Sequence, residues 1–167
     1  MDAAIILFLD IDGVLNTKNC LRKQATNGNK PSAKKWCPIA VSHINLLVEK
    51  IGAKIVVSST WRFNHSIDEL RDFFENNGIN RNSVIGITPN LLYERHSSNR
   101  GDELQAWIDE NDAHSDLHII IDDNDDGISE RFDHYIQTNM NVGFADRELI
   151  EKCFKILNNA GYRPLTL

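Results

Sequence analysis

The sequence predicts an α/β fold of three layers, in which a parallel sheet of about five strands has helices on both faces. Short apolar runs alternate along the chain with segments of helical periodicity. These runs lack apolar–polar alternation, which is typical of strands buried on both faces. With 167 residues, of which 41% are hydrophobic and 25% charged, the chain has the size and composition of one domain. We therefore predict a single domain over residues 1–167.

Five short apolar runs are the predicted strands, at residues 3–9, 54–58, 83–87, 117–121 and 134–138. The first run is too short to span a membrane and has no basic leader before it, which favours a buried strand over a targeting signal. The three cysteines are scattered without a C-x-x-C pair, as is typical of free thiols in a reducing compartment. We therefore expect a cytoplasmic protein.

Four helices are predicted between or after these strands, at residues 38–51, 66–77, 100–111 and 146–159. They are identified by apolar residues at helical spacing and by boundary residues. In the first helix Ile44, Leu47 and Ile51 recur at that spacing. The second begins with Ser66 and Glu69 in the arrangement of a capping box.

Acidic and hydroxyl side chains stand at the ends of three predicted strands. Asp10 and Asp12 follow the first strand, Ser58 closes the second, and Asp122 and Asp123 follow the fourth. The carboxyl ends of parallel strands form the edge at which α/β proteins bind ligands, so we expect these side chains to converge. Carboxylates crowded in this way require a cation, and hard oxygen ligands favour Mg²⁺. The sequence therefore predicts a magnesium site at this edge.

Three stretches resemble motifs of the haloacid dehalogenase (HAD) superfamily of phosphohydrolases. FLDIDGVL at 8–15 resembles the first motif, IVVS at 55–58 the second, and IIIDD at 119–123 the fourth in its paired-aspartate form. The third motif is normally a lysine, for which Arg100 is the best substitute and Arg95 a second candidate. Within the superfamily, the chain resembles the phosphatase domain of polynucleotide kinase-phosphatases and related RNA-repair phosphatases.

The resemblance implies a Rossmann-like fold and a Mg²⁺-dependent phosphatase that works through an aspartyl-phosphate intermediate. It makes Asp10 the nucleophile and Asp12 the general acid and base. The expected ligands of Mg²⁺ are Asp10, Asp122 and the main-chain carbonyl of Asp12, and Asp123 would either bind the metal or orient a metal-bound water. The turn at Gly13 is expected to bring Asp12 back over the site.

The resemblance also implies a set of groups that bind the substrate phosphate. Ser58 would donate a hydrogen bond to it, with Ser59 as a neighbouring alternative, and Arg100 would neutralise its charge. Trp61 and Arg62 directly follow the second motif. They would stack on a base or bind another phosphate, or else Trp61 is a core residue and Arg62 a surface residue.

The charge of the chain is unevenly distributed. The net charge is −6, yet residues 13–48 contain no acid. This segment carries six basic residues, namely Lys18, Arg22, Lys23, Lys30, Lys34 and Lys35. It is either a solvated loop or a cationic patch for an anionic polymer such as a nucleic acid. We describe its central part, about 16–37, as a short basic insertion beside Asp10.

Neither of the two gaps in which HAD phosphatases carry a cap domain is long enough to hold one. The spare residues are about 16–37 and 88–99, so we expect a capless or minimally capped fold. By the resemblance, an open site indicates a macromolecular substrate, and the basic insertion favours polynucleotide ends, with a 3′-phosphate as the leading candidate. The alternatives are a nucleotidase or other small-molecule phosphatase, a phosphotyrosine phosphatase, and a non-catalytic module that binds phosphorylated ends.

Overall fold

A single parallel sheet of five strands forms the centre of the computed structural model, which describes residues 3–91 and 98–162. The strands are β1 (Ile5–Leu9), β2 (Lys54–Val57), β3 (Val84–Ile87), β4 (Leu117–Asp122) and β5 (Tyr135–Gln137). Their order across the sheet is β3-β2-β1-β4-β5, and all neighbouring pairs are parallel. All five predicted strands are therefore confirmed, as is the α/β fold class.

Five α-helices connect or follow the strands. They are α1 (Lys18–Thr26), α2 (Pro38–Ile51), α3 (Ile67–Asn76), α4 (Arg100–Glu110) and α5 (Arg147–Asn159). The last four confirm the four predicted helices, and the capping box formed by Ser66 and Glu69 is present at the start of α3. None of the helices in the described parts of the chain has the length and hydropathy needed to cross a membrane.

The helix α1 lies inside the basic insertion and was not predicted. It has no buried residue, so the sequence carries no apolar face to reveal it. Local polar contacts hold it instead: the Thr17 hydroxyl accepts a hydrogen bond from the Cys20 amide at 3.2 Å. The Gln24 side chain bonds to the backbone of Ser32 and Lys35. The insertion is thus a short helix with its following loop folded against it.

Apolar side chains pack on both faces of the sheet, which gives the predicted three layers. On one face, Leu7 and Leu9 of β1 belong to a cluster that includes residues of α2, α3 and α5. On the other face, Ile6 and Phe8 pack with Leu104 and Trp107 of α4. Because successive residues of β1 face opposite layers and all are buried, this strand is fixed on both sides.

The register of the sheet sets the strand ends side by side. Leu9 pairs with Val57 of β2 and with Ile121 of β4. Beyond that pairing, the Asp10 amide donates to the Ile121 carbonyl at 3.0 Å, and the Ser58 amide donates to the Leu9 carbonyl at 3.0 Å. The residues that follow β1, β2 and β4 therefore meet at the carboxyl-terminal edge of the sheet, as predicted.

The first turn of α4 is seated on the loop that follows β4. The Arg100 amide donates to the Asp126 carboxylate at 3.0 Å, and the Gly101 amide donates to the Asp126 carbonyl at 3.2 Å. A Cβ atom at Gly101 would overlap the carbonyl group of Gly127 and lie 3.2 Å from Cδ of Arg131. Glycine at 101 thus permits the contact that brings the start of α4 to the sheet edge.

We predict that Gly101→Ala destabilises the protein by about 1–3 kcal/mol, because the added methyl group forces the helix away from Gly127. Helix propensity alone gives the opposite sign, since replacing a helical glycine by alanine stabilises proteins by about 0.4–1 kcal/mol. The measurement is chemical unfolding, with Gln105→Ala on the same helix as a control that changes stability by less than about 0.5 kcal/mol. A stabilised Gly101→Ala variant would contradict the proposed contact.

Candidate active site

Three carboxylates converge where β1 and β4 end. Asp10 directly follows β1, Asp122 is the last residue of β4, and Asp123 comes next. Each offers one oxygen such that all three oxygens lie within 4.8 Å of one another. Asp10 is 7% exposed and Asp122 is 2% exposed. The sequence placed these three residues at one edge, and the structure brings them together.

Burial and mutual repulsion raise the pKa values of this cluster. Burial raises the pKa of Asp10 to about 6, against hydrogen bonds from Ser59 and the Ile11 backbone and the charge of Arg100. Burial and the neighbouring Asp10 raise the pKa of Asp122 to about 7. The pKa of Asp123 is also raised, mainly by burial. The folded chain therefore holds negative charge here at a cost in free energy that a bound cation would remove.

The residues present fit a divalent cation. Oδ2 of Asp122 is buried and accepts no hydrogen bond from residues 3–91 and 98–162, although it forms an ion pair with Nε of Arg100 at 3.6 Å. Together with Asp10 and Asp123 it forms a set of hard oxygen donors, the kind that Mg²⁺ prefers. The Asp12 carboxylate is not part of this set, and the contribution of its main-chain carbonyl stays a prediction.

The Asp12 carboxylate is held by two hydrogen bonds, one to each oxygen. Nδ2 of Asn16 donates to Oδ1 at 2.6 Å, and the indole Nε1 of Trp61 donates to Oδ2 at 2.9 Å. The ring of Trp61 is packed in turn against Phe73 and Trp36 at centroid distances of 5.5 and 6.4 Å. The sequence left open whether Trp61 binds the substrate or is a core residue. In the structure Trp61 is partly buried among packed rings, which favours the second interpretation, and it also makes a contact that orients Asp12.

The turn after Asp12 requires glycine. Gly13 has φ +76°, and a Cβ atom there would lie 2.5 Å from Oδ2 of Asp123. Its amide donates to the Asn16 carbonyl at 2.8 Å, and its carbonyl accepts from the Thr138 hydroxyl at 2.7 Å. These contacts return the chain toward the site, and the charge of Asp12 contributes to the raised pKa of Asp123.

Two serines border the cluster at the end of β2. Ser58 is fully buried, and its hydroxyl has no hydrogen-bond partner in the described ranges 3–91 and 98–162. The Ser59 hydroxyl hydrogen-bonds to Asp10, which lowers the pKa of that acid, and accepts the Trp61 amide at 3.4 Å. The Ser58 hydroxyl therefore has no partner in the described parts of the chain, whereas the Ser59 hydroxyl is engaged with Asp10.

Arg62 lies in the interior rather than at the surface. Its side chain is 2% exposed and forms an ion pair with Glu103. It donates from Nε to the Thr88 carbonyl at 3.1 Å, and from Nη1 to the carbonyls of Ser58 and Ser59 at 3.0 and 2.8 Å. The interpretation of Arg62 as a surface residue is therefore wrong. Because its guanidinium already binds four protein acceptors, the geometry favours positioning of the serine backbone over contact with a phosphate.

Arg100, the first candidate for the role of the third-motif lysine, lies beside the carboxylate cluster. It is the first residue of α4, its side chain is 14% exposed, and its Nε lies 3.6 Å from Oδ2 of Asp122. Nη1 donates to Glu103 at 3.3 Å. The positive charge of Arg100 lowers the pKa values of Asp10 and Asp122 against the effect of burial. Arg95, the second candidate, lies outside the described residues.

The six basic residues of the insertion are all exposed, and none of them forms an ion pair with another described residue. Lys18, Arg22 and Lys23 belong to α1, and Lys30, Lys34 and Lys35 lie in the loop after it. Nζ of Lys34 is 5.1 Å from the centroid of the Phe73 ring, which packs on Trp61. Of the loop lysines, Lys34 thus lies near the aromatic residues that pack around Trp61.

Sequence reasoning missed two residues that organise the site, Asn16 and Glu103, and did not predict the contact of Trp61 with Asp12. Asn16 and Trp61 hold Asp12, and Glu103 binds both Arg62 and Arg100. Asn16 and Glu103 each lie three or four residues from a recognised site residue, which was the available signal. The contact of Trp61 with Asp12 joins residues 49 positions apart, and nothing in the local sequence indicates it.

We predict that the metal-free protein loses stability as pH rises from 5 to 8, because the folded pKa values of about 6 for Asp10 and about 7 for Asp122 exceed the ordinary value of 3.8. Protonation of these acids therefore favours the folded state below those values, and the benefit is lost above them. The expected loss is on the order of 2–4 kcal/mol, about 5–10 °C in Tm. Mg²⁺ should raise Tm more at pH 8 than at pH 5.

The measurement is thermal unfolding in chelator and in Mg²⁺ across this pH range. Asp10→Asn should flatten the pH dependence, because the amide does not ionise, whereas Asp133→Asn, which replaces an exposed acid before β5, should leave it unchanged. A Tm that rises with pH in chelator would contradict the proposed repulsion.

Comparison with known proteins agrees with this geometry. The family model for the HAD domain in Swiss Army Knife RNA repair proteins matches residues 6–149, a span that includes every site residue described above. No curated protein and no solved structure matches the chain. The chain therefore belongs to the family of HAD domains of Swiss Army Knife RNA repair proteins and is a HAD-type phosphatase.

Proposed function

We propose that this protein is a Mg²⁺-dependent phosphomonoesterase that works through an aspartyl-phosphate and removes phosphate from polynucleotide ends, a 3′-phosphate in particular. The observation that carries the proposal is the convergence of Asp10, Asp122 and Asp123 at the carboxyl-terminal edge of the sheet. Arg100 forms an ion pair with Asp122 of this cluster, and the Ser58 amide bonds to the residue that precedes Asp10. This arrangement supports Asp10 as the nucleophile, the three acids as cation ligands, and Arg100 and Ser58 as phosphate-binding groups.

The first step transfers the phosphoryl group to the protein. The Asp10 carboxylate attacks phosphorus, and the bond from phosphorus to the substrate oxygen breaks. Asp12 gives its proton to that leaving oxygen, so that the substrate departs as an alcohol. The hydrogen bonds from Asn16 and Trp61 hold the Asp12 carboxyl in one orientation for this transfer.

The second step releases phosphate. Asp12, now ionised, accepts a proton from water as the water oxygen attacks phosphorus of the aspartyl-phosphate. The bond between phosphorus and Asp10 breaks, which frees inorganic phosphate and restores the Asp10 carboxylate. Asp12 is again protonated, and the cycle can repeat.

The charge of the phosphoryl group requires positive partners. Asp10, Asp122, Asp123 and the Asp12 carbonyl would hold Mg²⁺, whose bound charge neutralises the carboxylates and phosphate oxygens. Arg100 supplies a fixed positive charge beside Asp122, and Ser58 can donate its unpaired hydroxyl to a phosphate oxygen. We assign Arg62 a positioning role, since it binds the carbonyls of Ser58 and Ser59.

Two observations support a polynucleotide end as the substrate. The family that matches the chain is described by its occurrence in RNA repair proteins. The six exposed basic residues of the insertion follow β1 closely and form no ion pair within the described chain, which leaves their charge available to a phosphate backbone. A cytoplasmic location remains part of this proposal.

The nucleophile is tested by Asp10→Asn, which should abolish phosphate release, a loss of at least about 10³-fold, because an amide does not attack phosphorus. Circular dichroism should show an intact fold. Phosphate release from a 3′-phosphorylated oligonucleotide in Mg²⁺ is the measurement, and Asp133→Asn is the matched control with wild-type turnover. Near wild-type turnover of Asp10→Asn would overturn the mechanism.

The substrate class is tested by salt. An oligonucleotide that contacts several lysines releases counterions, so its kcat/KM should fall more steeply with salt than that of the matching mononucleotide. Replacing Lys30, Lys34 and Lys35 with Glu should remove most of the oligonucleotide's advantage at low salt. The control replaces three exposed lysines on other helices, Lys50, Lys152 and Lys155, with Glu and so changes the net charge equally.

Three outcomes separate the alternatives. Loss of the advantage only in the insertion variant supports a polynucleotide contact at that surface. Equal loss in both triple variants assigns the effect to net charge alone. If the wild type shows no preference for the oligonucleotide even at low salt, the polynucleotide proposal fails in favour of a small-molecule or phosphoprotein substrate.

A further inference from the structure

A pocket of about 330 Å³ opens directly beside Asp12, at the small end of the range of about 300–1,000 Å³ for small-molecule sites. Its lining residues are Asp12, Thr60, Trp61, Phe63, Asn64 and His65. All but Asp12 come from the turn Thr60–Phe63 after β2 and the two residues that follow it. A larger cavity of about 540 Å³ lies by α1 and the start of α2, and none of the site carboxylates lines it. The smaller pocket is thus the one connected to the chemistry.

The pocket has an exposed aromatic wall. Phe63 is 41% exposed, although its ring is large and apolar. The guanidinium carbon of Arg62 lies 4.4 Å from the centroid of that ring, and Arg62 is itself fixed by its ion pair with Glu103. The orientation of the Phe63 ring is therefore supported from within the protein, while part of the ring remains open to a ligand.

The remaining walls combine polar groups with a second aromatic cluster. Thr60, Asn64 and His65 supply hydrogen-bonding side chains to the lining. The His65 ring packs against Trp61 and Phe73 at centroid distances of 5.8 and 5.0 Å. Exposed aromatic rings flanked by hydrogen-bonding groups are the features with which proteins bind unpaired nucleobases.

We propose that this pocket binds the nucleobase of the nucleotide that carries the scissile phosphate, with Phe63 as its stacking surface. The proposal rests on the proposed function and adds a specificity site to it. Asp12 connects the two, because it protonates the leaving oxygen and also lines the pocket. The leaving group of the reaction is the 3′-hydroxyl of the terminal nucleotide, so the base of that nucleotide lies on the side of Asp12, where Phe63 lines the pocket.

The surface beyond the pocket is suited to the rest of a strand. Phe73, which packs on His65 and Trp61, has Nζ of Lys34 at 5.1 Å from its ring centroid. A strand whose last base stacks on Phe63 could thus place a backbone phosphate near Lys34. This continuity connects the pocket with the basic insertion.

The test measures binding, so that it does not depend on turnover of any polynucleotide. In Asp10→Asn protein with Mg²⁺, calorimetry gives Kd for a nucleoside 3′-monophosphate and for ribose 3-phosphate, which lacks the base. Stacking of one base corresponds to roughly 5- to 150-fold in Kd, and we expect the nucleotide to bind tighter by that factor. Phe63→Ala should bring the ratio of the two Kd values close to one.

Two further variants separate stacking from bulk and from folding. Phe63→Tyr should keep the ratio, because it keeps the ring, and Phe63→Leu should lose most of it, because it keeps apolar bulk alone. Ile85→Ala removes an equally exposed apolar side chain, also 41% exposed, from β3 and should leave the ratio as in the parent. Circular dichroism establishes that each variant is folded.

Two results would overturn the pocket assignment: a ratio near one in the parent protein, or a ratio that Phe63→Ala does not change. Failure of the proposed function is seen separately, as absence of phosphate release from polynucleotide ends when Asp10 is intact. That result would not change the ratio of Kd values, so the ratio would still show whether the pocket binds the nucleobase.

Discussion

Repulsion among Asp10, Asp122 and Asp123 is the constraint on which the rest of the site depends. Three carboxylate oxygens lie within 4.8 Å of one another in a largely buried place, and burial, with their mutual repulsion as a smaller contribution, raises the pKa values of these acids. A flexible backbone would relieve that repulsion by moving apart. Here β1 is buried on both faces and hydrogen-bonded to strands on both sides, so the acids cannot separate.

The two arginines that bring positive charge to the site, Arg62 and Arg100, are both bound by one buried acid. Glu103 is 5% exposed and binds Arg62, which holds the end of β2, and Arg100, which lies beside Asp122. Burial lowers the pKa of Arg62, and the charge of Glu103 opposes that shift. A buried ion pair adds little net stability but is costly to break at one partner. Glu103 therefore fixes the geometry between α4 and the second strand end more than it stabilises the fold.

The fold and the central acids could be predicted from sequence because their signals are local. Buried strands appear as apolar runs, and Asp10 and Asp122 directly follow two of them. The helix α1 could not be predicted, since it buries no residue and its contacts are polar. Arg62 could not be placed either, because its ion pair joins positions 41 residues apart. Polar contacts between residues far apart in the chain leave no periodic pattern in the sequence, so only the three-dimensional structure reveals them.

The segment after β2 contains residues that contact the acids of the site and other residues that line the proposed base-binding pocket. The Ser59 hydroxyl hydrogen-bonds to Asp10, Trp61 holds the Asp12 carboxylate, and Phe63 lines the pocket beyond it. Asp10, Asp122 and Asp123 lie on other strands and have no part in that pocket. A substitution at 63–65 can therefore alter which leaving group binds while the carboxylates keep their positions. Because Trp61 lines the pocket and also donates a hydrogen bond to Asp12, it is the residue through which a change in the pocket would reach the proposed general acid.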